Sequence, residues 1–195
     1  SFYNRGNCHF AIGEFDLAIE DYSEAIELNQ QNIRIFNNKN QGTSGNINNE
    51  DKNEAVSLDS IRSFLFFNRG NCYIELKNYS KAINDFTNAI SINSKISIFH
   101  YNKGICLLAI DDFSNSINNF KKAIELDSND ASSYYSLAYA YLRIEEFQKM
   151  AESLENVLKL DPKKYCELLK TEKAFDIVRE TELFKKVISN HCKNC

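Results

Sequence analysis

Long apolar runs are missing from this chain. No stretch approaches the roughly 20 apolar residues that a membrane-spanning helix needs, and no signal-peptide pattern opens the sequence. A basic excess is also missing, because the net charge is −4 and no lysine- or arginine-rich face recurs. A chain that binds nucleic acid usually carries such a face. We therefore expect a soluble, non-secreted protein with no membrane span and no nucleic-acid partner.

Patterns typical of catalysis or metal binding are equally scarce. The sequence has no glycine-rich phosphate loop, no nucleophile elbow and no carboxylate pair in a plausible setting. The pentapeptide HCKNC at 191–195 resembles half of a metal site, but a zinc site needs four ligands and no second pair is visible. We interpret it as a frayed tail and expect no cofactor, no metal and no enzymatic activity.

The chain does contain an internal repeat. The heptapeptide FYNRGNC at 2–8 returns as FFNRGNC at 66–72. Gly70 and Gly104 lie 34 residues apart, and Ala138 follows after a further 34. Both halves of each period carry apolar residues at three- and four-residue spacing, which predicts two helices with one buried face each. Each period is therefore expected to form a helical hairpin.

A period of 34 residues built from two helices resembles the tetratricopeptide repeat (TPR) family. The resemblance rests on small residues in both helices and an aromatic residue at the turn, which recur in register at Gly6, Gly70, Gly104 and Ala138; Phe15, Tyr79, Phe113 and Phe147; Ala18 and Ala82; Ala25, Ala89 and Ala123; and Pro162. Departures from the pattern are Ser116, Met150 and Val157 at small positions, and Gln30, Ser94 and Ser128 at the closing proline. The resemblance implies an all-α, right-handed superhelix, or α-solenoid.

The repeat divides the chain into units. We expect four helical hairpins at 1–32, 63–96, 97–130 and 131–164. An insertion at 33–62 separates the first two. A pair of capping helices at 165–190 and a short tail at 191–195 follow the last hairpin. Ser1 falls inside the first helix of the first unit and no Met precedes it, so we expect either a fragment of a longer protein or an introduced start.

The insertion is rich in asparagine. Its segment NNKNQGTSGNINNEDKNE at 37–54 contains no large hydrophobic residue except Ile47. Such a stretch cannot offset its ordering entropy by burial. We therefore expect a largely mobile loop, with helix resuming by about Ala55 to Ile61.

Three cysteines occupy equivalent places in successive units. Cys8, Cys72 and Cys106 each stand two residues after the repeated glycine. This repetition indicates that cysteine serves as a small buried hydrophobe, and free thiols in such numbers favour a reducing compartment. We expect a cytoplasmic protein.

The arginine of NRGN has a candidate partner on the second helix. Arg5 is matched by Asp21 and Arg69 by Asp85, whereas the third unit has Lys103 and an uncharged residue at the matching place. The basic and acidic residues change together. We therefore predict a salt bridge within each of the first two hairpins, and a structural role for both arginines.

The asparagines of the repeat are candidates for ligand binding. In the TPR family the first helices line the concave face, and a column of side-chain amides there could hydrogen-bond the backbone of an extended peptide. The expected groove residues are Asn4, Asn7, Asn68, Asn71, Asn102, Tyr3, Phe67, Tyr101, Tyr135 and Ser136. The alternative is that the asparagines only bridge adjacent repeats.

The groove composition bears on the partner. TPR proteins that hold the acidic C-terminal tails of heat-shock chaperones use lysine and arginine alongside asparagine. Here the place of the first lysine holds Tyr3 or Phe67. The places of the later basic pair hold either Ile98 and Asn102 or Ser132 and Ser136. We expect a protein-protein interaction scaffold that binds a peptide segment of a partner. The alternatives are a co-chaperone adaptor, or a regulatory or targeting region of a larger enzyme. The partner and the oligomeric state stay open.

Overall fold

A computed structural model describes residues 1–41 and 49–192. Within those two ranges every regular element is helical, which confirms the all-α prediction. The helices are α1 (Phe2–Ala11), α2 (Phe15–Gln41), α3 (Asn49–Glu75), α4 (Tyr79–Ile92), α5 (Ser97–Ala109), α6 (Phe113–Leu126), α7 (Ala131–Arg143), α8 (Phe147–Leu160), α9 (Pro162–Thr171), α10 (Asp176–Arg179) and α11 (Glu182–His191), with a 3-10 turn at Lys173–Phe175. The chain divides into two compact units, Ser1–Cys106 (unit 1) and Leu107–Cys195 (unit 2).

Glycine sets how closely the helices of a hairpin approach in unit 1. Helix α1 packs against α2, and α3 packs against α4. A Cβ atom added to Gly6 would lie 2.9 Å from Cε1 of Tyr22, and one added to Gly70 would lie 2.8 Å from Cε1 of Phe86. Both distances are well below the 3.5–4.0 Å at which carbon atoms pack favourably. The repeated glycine therefore makes room for a buried ring on the second helix.

The cysteines of the repeat differ in their surroundings. Cys72 and Cys106 are fully buried among apolar side chains, as predicted. Cys8 is exposed, so its predicted burial is wrong. Cys72 belongs to the same buried apolar cluster as Tyr22 of the preceding hairpin.

The prediction of a mobile loop is wrong at both ends of the insertion. Helix α2 continues to Gln41 and α3 begins at Asn49, so 33–41 and 49–54 are helical; the helix at 55–61 is as predicted, and 42–48 lie outside the described residues. The two helices pack against each other, and Nδ2 of Asn29 donates to the carbonyl of Leu58 at 3.1 Å. Ile33 and Leu58 each stand seven residues from a buried core residue, Ile26 and Leu65, so the buried face of each helix runs on into the insertion.

Unit 2 contains a further hairpin and, in the region expected to form a cap, a group of shorter helices. Helix α7 packs against α6 and α8, while α9 and α11 both pack against α8. Phe175, Phe184 and Val187 are buried there. The cap differs from the expected helix pair at 165–190 because the 3-10 turn and α10 connect α9 to α11.

The prediction of a frayed tail at 191–195 is wrong where the structure describes it. His191 ends α11, and Cys192 forms a disulfide with Cys166 of α9. The bond ties the end of α11 to α9. Residues 193–195 lie outside the described part of the chain.

Candidate binding surface on the first helices of unit 1

Two salt bridges hold the hairpins of unit 1 together, as predicted. Nε of Arg5 lies 2.9 and 3.0 Å from the two carboxylate oxygens of Asp21. Nε and a terminal nitrogen of Arg69 each lie 2.8 Å from an oxygen of Asp85. Both carboxylates are buried, and a bidentate guanidinium satisfies them. The arginines therefore have the structural role that the sequence predicts.

The two arginines differ in exposure. The side chain of Arg5 is 61% exposed and that of Arg69 is 19% exposed. Arg69 also donates to the hydroxyl of Ser23 on α2 at 2.9 Å, which links the two hairpins. The hydrogen bond from Arg5 lowers the pKa of Asp21. Lys103, the equivalent residue on α5, is half-buried, and burial lowers its pKa.

Asparagine side chains bridge successive first helices. Nδ2 of Asn68 lies 3.4 Å from Oδ1 of Asn7, and Nδ2 of Asn102 donates to Oδ1 of Asn71 at 2.7 Å. The hydroxyl of Tyr22 donates to the same Oδ1 of Asn7 at 2.7 Å. The structure thus brings Asn7 to Asn68 and Asn71 to Asn102. These are the inter-repeat bridges that the sequence left as the alternative.

The bridges leave part of each amide unused. Oδ1 of Asn7 and Asn71 accepts hydrogen bonds, while Nδ2 of both residues makes none within the described part of the chain. On Asn68 and Asn102 the roles are reversed, since Nδ2 donates and Oδ1 is unused. Within the described residues α1 therefore offers an unused N–H donor, α5 offers an unused carbonyl acceptor, and α3 offers one of each.

An open cleft lies beside the first bridge. It has a volume of about 210 Å³ and is lined by Asn7, Phe10, Tyr22, Asn68 and Asn71. We call it the asparagine cleft. Its lining combines side-chain amides with two rings and contains no charged side chain.

The other predicted groove residues occupy varied places. Asn4 and Tyr3 are exposed on α1, and Tyr101 is half-buried on α5. The Phe67 ring packs between those of Phe86 and Phe99, at 5.9 and 5.1 Å between centroids.

The two predicted groove residues of unit 2 are tied to its core. The Tyr135 ring packs against those of Tyr165 and Phe175 in the cap, at 5.4 and 6.0 Å between centroids, and burial raises its pKa to about 12. Ser136 is buried on α7.

Sequence reasoning missed Tyr22 as a site residue. Tyr22 occupies the place on the second helix that Phe86, Phe120 and Leu154 hold in the other units. It carries the only hydroxyl of that set, and this hydroxyl fixes the orientation of Asn7. The signal was therefore present as a polar substitution at an apolar repeat position.

The free thiols should differ sharply in reactivity. Burial raises the pKa of both Cys72 and Cys106 to about 12, so almost no thiolate forms at neutral pH. We expect a disulfide reagent such as DTNB to modify the exposed Cys8 at pH 8 within minutes, and the other two only as the chain unfolds. Mass spectrometry of timed samples identifies the modified residue. Rapid labelling of Cys72 or Cys106 in the folded chain would contradict this packing.

The described residues contain neither a candidate membrane span nor a candidate metal site. Among the described residues no helix is long and apolar enough to cross a membrane. The same ranges contain no group of three or more histidine, cysteine, aspartate or glutamate side chains that could hold a metal ion.

Family models of the tetratricopeptide repeat match the chain at several places. One matches 1–32 and 63–96, a TPR repeat model matches 106–144, and a third model matches 131–164. Human DnaJ homolog subfamily C member 7 is 31% identical over 90 residues, which are 42% of this chain and 18% of that protein. The chain therefore corresponds to a small part of that relative.

Solved structures share the fold at low sequence identity. The crystal structure of MamA has a TM-score of 0.69 and 17% identity, covering 95% of this chain and 89% of that chain. The second TPR of Spaghetti (RPAP3), bound to the HSP90 peptide SRMEEVD, has a TM-score of 0.53 and 20% identity, covering 55% of this chain and 99% of that chain. Since the matching repeat models span well over half of its residues, the chain belongs to the tetratricopeptide repeat family.

Proposed function

We propose that this chain is a protein-interaction module that holds an extended segment of a partner protein against the first helices of unit 1. The observation that carries the proposal is the pattern of unused amide atoms. Asn7 and Asn71 offer N–H donors, whereas Asn68 and Asn102 offer acceptor oxygens. A peptide backbone presents carbonyl acceptors and N–H donors in turn, so one extended segment can pair with both kinds.

The bridges favour binding because they hold the amides in place before a ligand arrives. Each hydrogen bond to the ligand would contribute about 0.5–1.5 kcal/mol, and little side-chain entropy remains to be lost. Amide contacts to a backbone do not read its sequence. Selectivity would come from rings such as Phe10, which lines the cleft, and the exposed Tyr3, whose ring centroid lies 6.4 Å from that of Tyr22.

A co-chaperone adaptor is the second candidate function. It is favoured by the likeness to a DnaJ homolog and to a repeat domain bound to an HSP90 peptide. The composition of the site argues against it. Tyr3 and Phe67 stand where chaperone-binding TPR proteins have a lysine, and an acidic tail would find no cation there. We expect the peptide SRMEEVD to bind more weakly than an uncharged extended peptide.

We further propose that the chain itself is not an enzyme and that it acts in the cytoplasm. The family to which it belongs supports the first point. The free thiols at Cys8, Cys72 and Cys106 favour a reducing compartment, whereas the bond from Cys166 to Cys192 favours an oxidising one. A regulatory or targeting role within a larger enzyme is a third possibility, which sequencing of the full reading frame decides.

Replacing Asn68 and Asn102 together with alanine tests peptide binding. The probe is a peptide selected from a random phage-displayed library on the intact chain, followed by fluorescence anisotropy with the purified peptide. Loss of two bridges and two acceptor oxygens should weaken binding at least about tenfold. The melting temperature should change little, because both side chains are only partly buried.

The matched control replaces Asn84 and Asn118, two exposed asparagines on second helices, with alanine. Their loss should leave affinity and melting unchanged. Failure to select any peptide, or equal affinity of the bridge variant and the control, would contradict the proposal. A large loss of stability in the bridge variant would assign the asparagines a purely structural role.

A further inference from the structure

Each of the four turns within a hairpin carries an exposed aliphatic residue. It stands directly before a residue with a positive φ angle, and the four pairs are Ile12 and Gly13, Leu76 and Lys77, Ile110 and Asp111, and Ile144 and Glu145. The aliphatic residues are 70%, 42%, 47% and 40% exposed, in the same order. A large apolar side chain thus faces water at the same place in every repeat.

The turns themselves do not require these side chains. In unit 2 each turn ends its first helix with a paired set of backbone bonds: Glu146 N–H donates to the carbonyl of Tyr141, and Glu145 N–H donates to that of Leu142. In this helix-ending motif the residue that commonly supplies an apolar contact is the second one after the cap. Here that residue is Asp112 or Glu146, both charged. The turn geometry therefore leaves Ile110 and Ile144 without a local function.

In unit 2 a salt bridge joins two successive turns. A terminal nitrogen of Arg143 lies 2.9 Å from a carboxylate oxygen of Asp111, and its guanidinium carbon stands 4.7 Å from the centroid of the Phe113 ring. Arg143 directly precedes Ile144, and Asp111 directly follows Ile110. The bridge therefore holds the two turns next to each other, and each exposed isoleucine is one residue away from a bridging side chain. Phe147, which is 39% exposed, begins the next helix beside it.

The rim of this surface is acidic. Asp111, Asp112, Glu145 and Glu146 lie within two residues of Ile110 or Ile144 in the sequence, and the basic residues paired with them are Arg143 and Lys149. Four carboxylates against two cations leave two negative charges in excess. The side-chain carboxylate of Glu145 makes no hydrogen bond or salt bridge with any described residue. The surface formed by Ile110, Ile144, Phe147 and these charged residues is called the turn surface.

We propose that the turn surface binds a cationic amphipathic helix of a partner protein. Such a helix places leucine-like side chains in one stripe and lysine or arginine on its flanks. The stripe would cover Ile110 and Ile144, and a flanking cation would meet the carboxylate of Glu145. A second copy of this chain would present like charge, and an anionic membrane would be repelled for the same reason. This inference is independent of the asparagine cleft, which lies in unit 1.

The test uses a labelled amphipathic peptide of leucine and lysine at helical spacing, and its counterpart of leucine and glutamate. With isoleucine methyl groups labelled for NMR, the lysine peptide should shift the Ile110 and Ile144 signals, and the glutamate peptide should shift neither. Replacing Ile110 and Ile144 with serine should weaken binding at least about tenfold, because most of the apolar contact is lost.

The control replaces Ile12 and Leu76 with serine, at the same place in the first two repeats, where Gly13 and Glu14, and Lys77 and Asn78, stand in place of the two carboxylates. Affinity should then stay within about twofold of the parent. Equal losses in both variants, methyl shifts confined to Ile12, or equal binding of the glutamate peptide would overturn the proposal. If the serine variant of unit 2 does not fold, as judged by circular dichroism, the methyl shifts in the unaltered chain decide the question.

Discussion

Replacing Arg69 with alanine is expected to lower the free energy of unfolding by about 3 kcal/mol, the lower end of the range for breaking a buried ion pair. Asp85 is 1% exposed, and both of its oxygens accept hydrogen bonds from Arg69. Without the guanidinium, a buried carboxylate has lost the donors of both bonds. Ser23 would also lose a hydrogen bond, and the Phe66 ring would lose the cation 5.6 Å from its centroid. Urea unfolding followed by circular dichroism measures the loss.

Two control variants separate charge from packing. Replacing Arg69 with methionine and Asp85 with leucine together should restore most of the stability, because neither partner then leaves a buried charge. Replacing Arg5 with alanine should have a smaller effect, because Arg5 is largely exposed and Nε2 of His9 lies 3.8 Å from Asp21. A loss at Arg69 no larger than at Arg5, or no recovery in the double variant, would contradict this account.

Replacing Gly70 with alanine is expected to lower the free energy of unfolding by up to about 2 kcal/mol, because overpacking a well-packed core costs about 1–3 kcal/mol and the gain in helix propensity is about 1 kcal/mol. The new methyl group would meet Cε1 of Phe86 at 2.8 Å. The Phe86 ring is fully buried and contacts Phe67, so it has little room to move. Alanine favours a helix over glycine by about 1 kcal/mol, which offsets only part of the clash. Thermal and urea unfolding measure the net effect.

A double variant checks the cause. Combining Gly70→Ala with Phe86→Leu should cost less than the sum of the two single changes, because the smaller side chain gives space to the methyl group. Additive losses would mean that the ring is not what the glycine accommodates. An increase in stability for Gly70→Ala alone would show that helix propensity outweighs packing.

The repeat could be predicted from the sequence because its period, its glycines and its turn aromatics are local patterns. The helical structure at 33–41 and 49–54 could not be predicted, because the composition of 37–54 taken alone is typical of a loop. Its flanking residues Ile33 and Leu58 continue the buried faces of α2 and α3, and that continuity becomes clear only when the two helices are paired. The disulfide joins residues 26 positions apart on different helices, and spacing alone does not specify such a pairing.

The candidate site could be predicted only in part, for a similar reason. The asparagines and the salt bridges follow from repeat positions, and the structure confirms both hairpin bridges. Which amides meet depends on the stagger between successive hairpins, and the sequence does not contain it. The same limit affects Phe67 and Tyr135, whose rings are packed against other aromatic side chains. Helical spacing assigns a residue to a helix face, but it does not determine how far the side chain enters the core.

Side-chain amide NMR during titration with a selected peptide tests the central claim most directly. If the asparagine cleft binds a peptide backbone, the amide nitrogen and proton signals of Asn7 and Asn71 should shift, since those groups carry the unused donors. The signals of Asn84 and Asn118 should stay in place. Binding that shifts the control asparagines, while Asn7 and Asn71 do not change, would contradict the account.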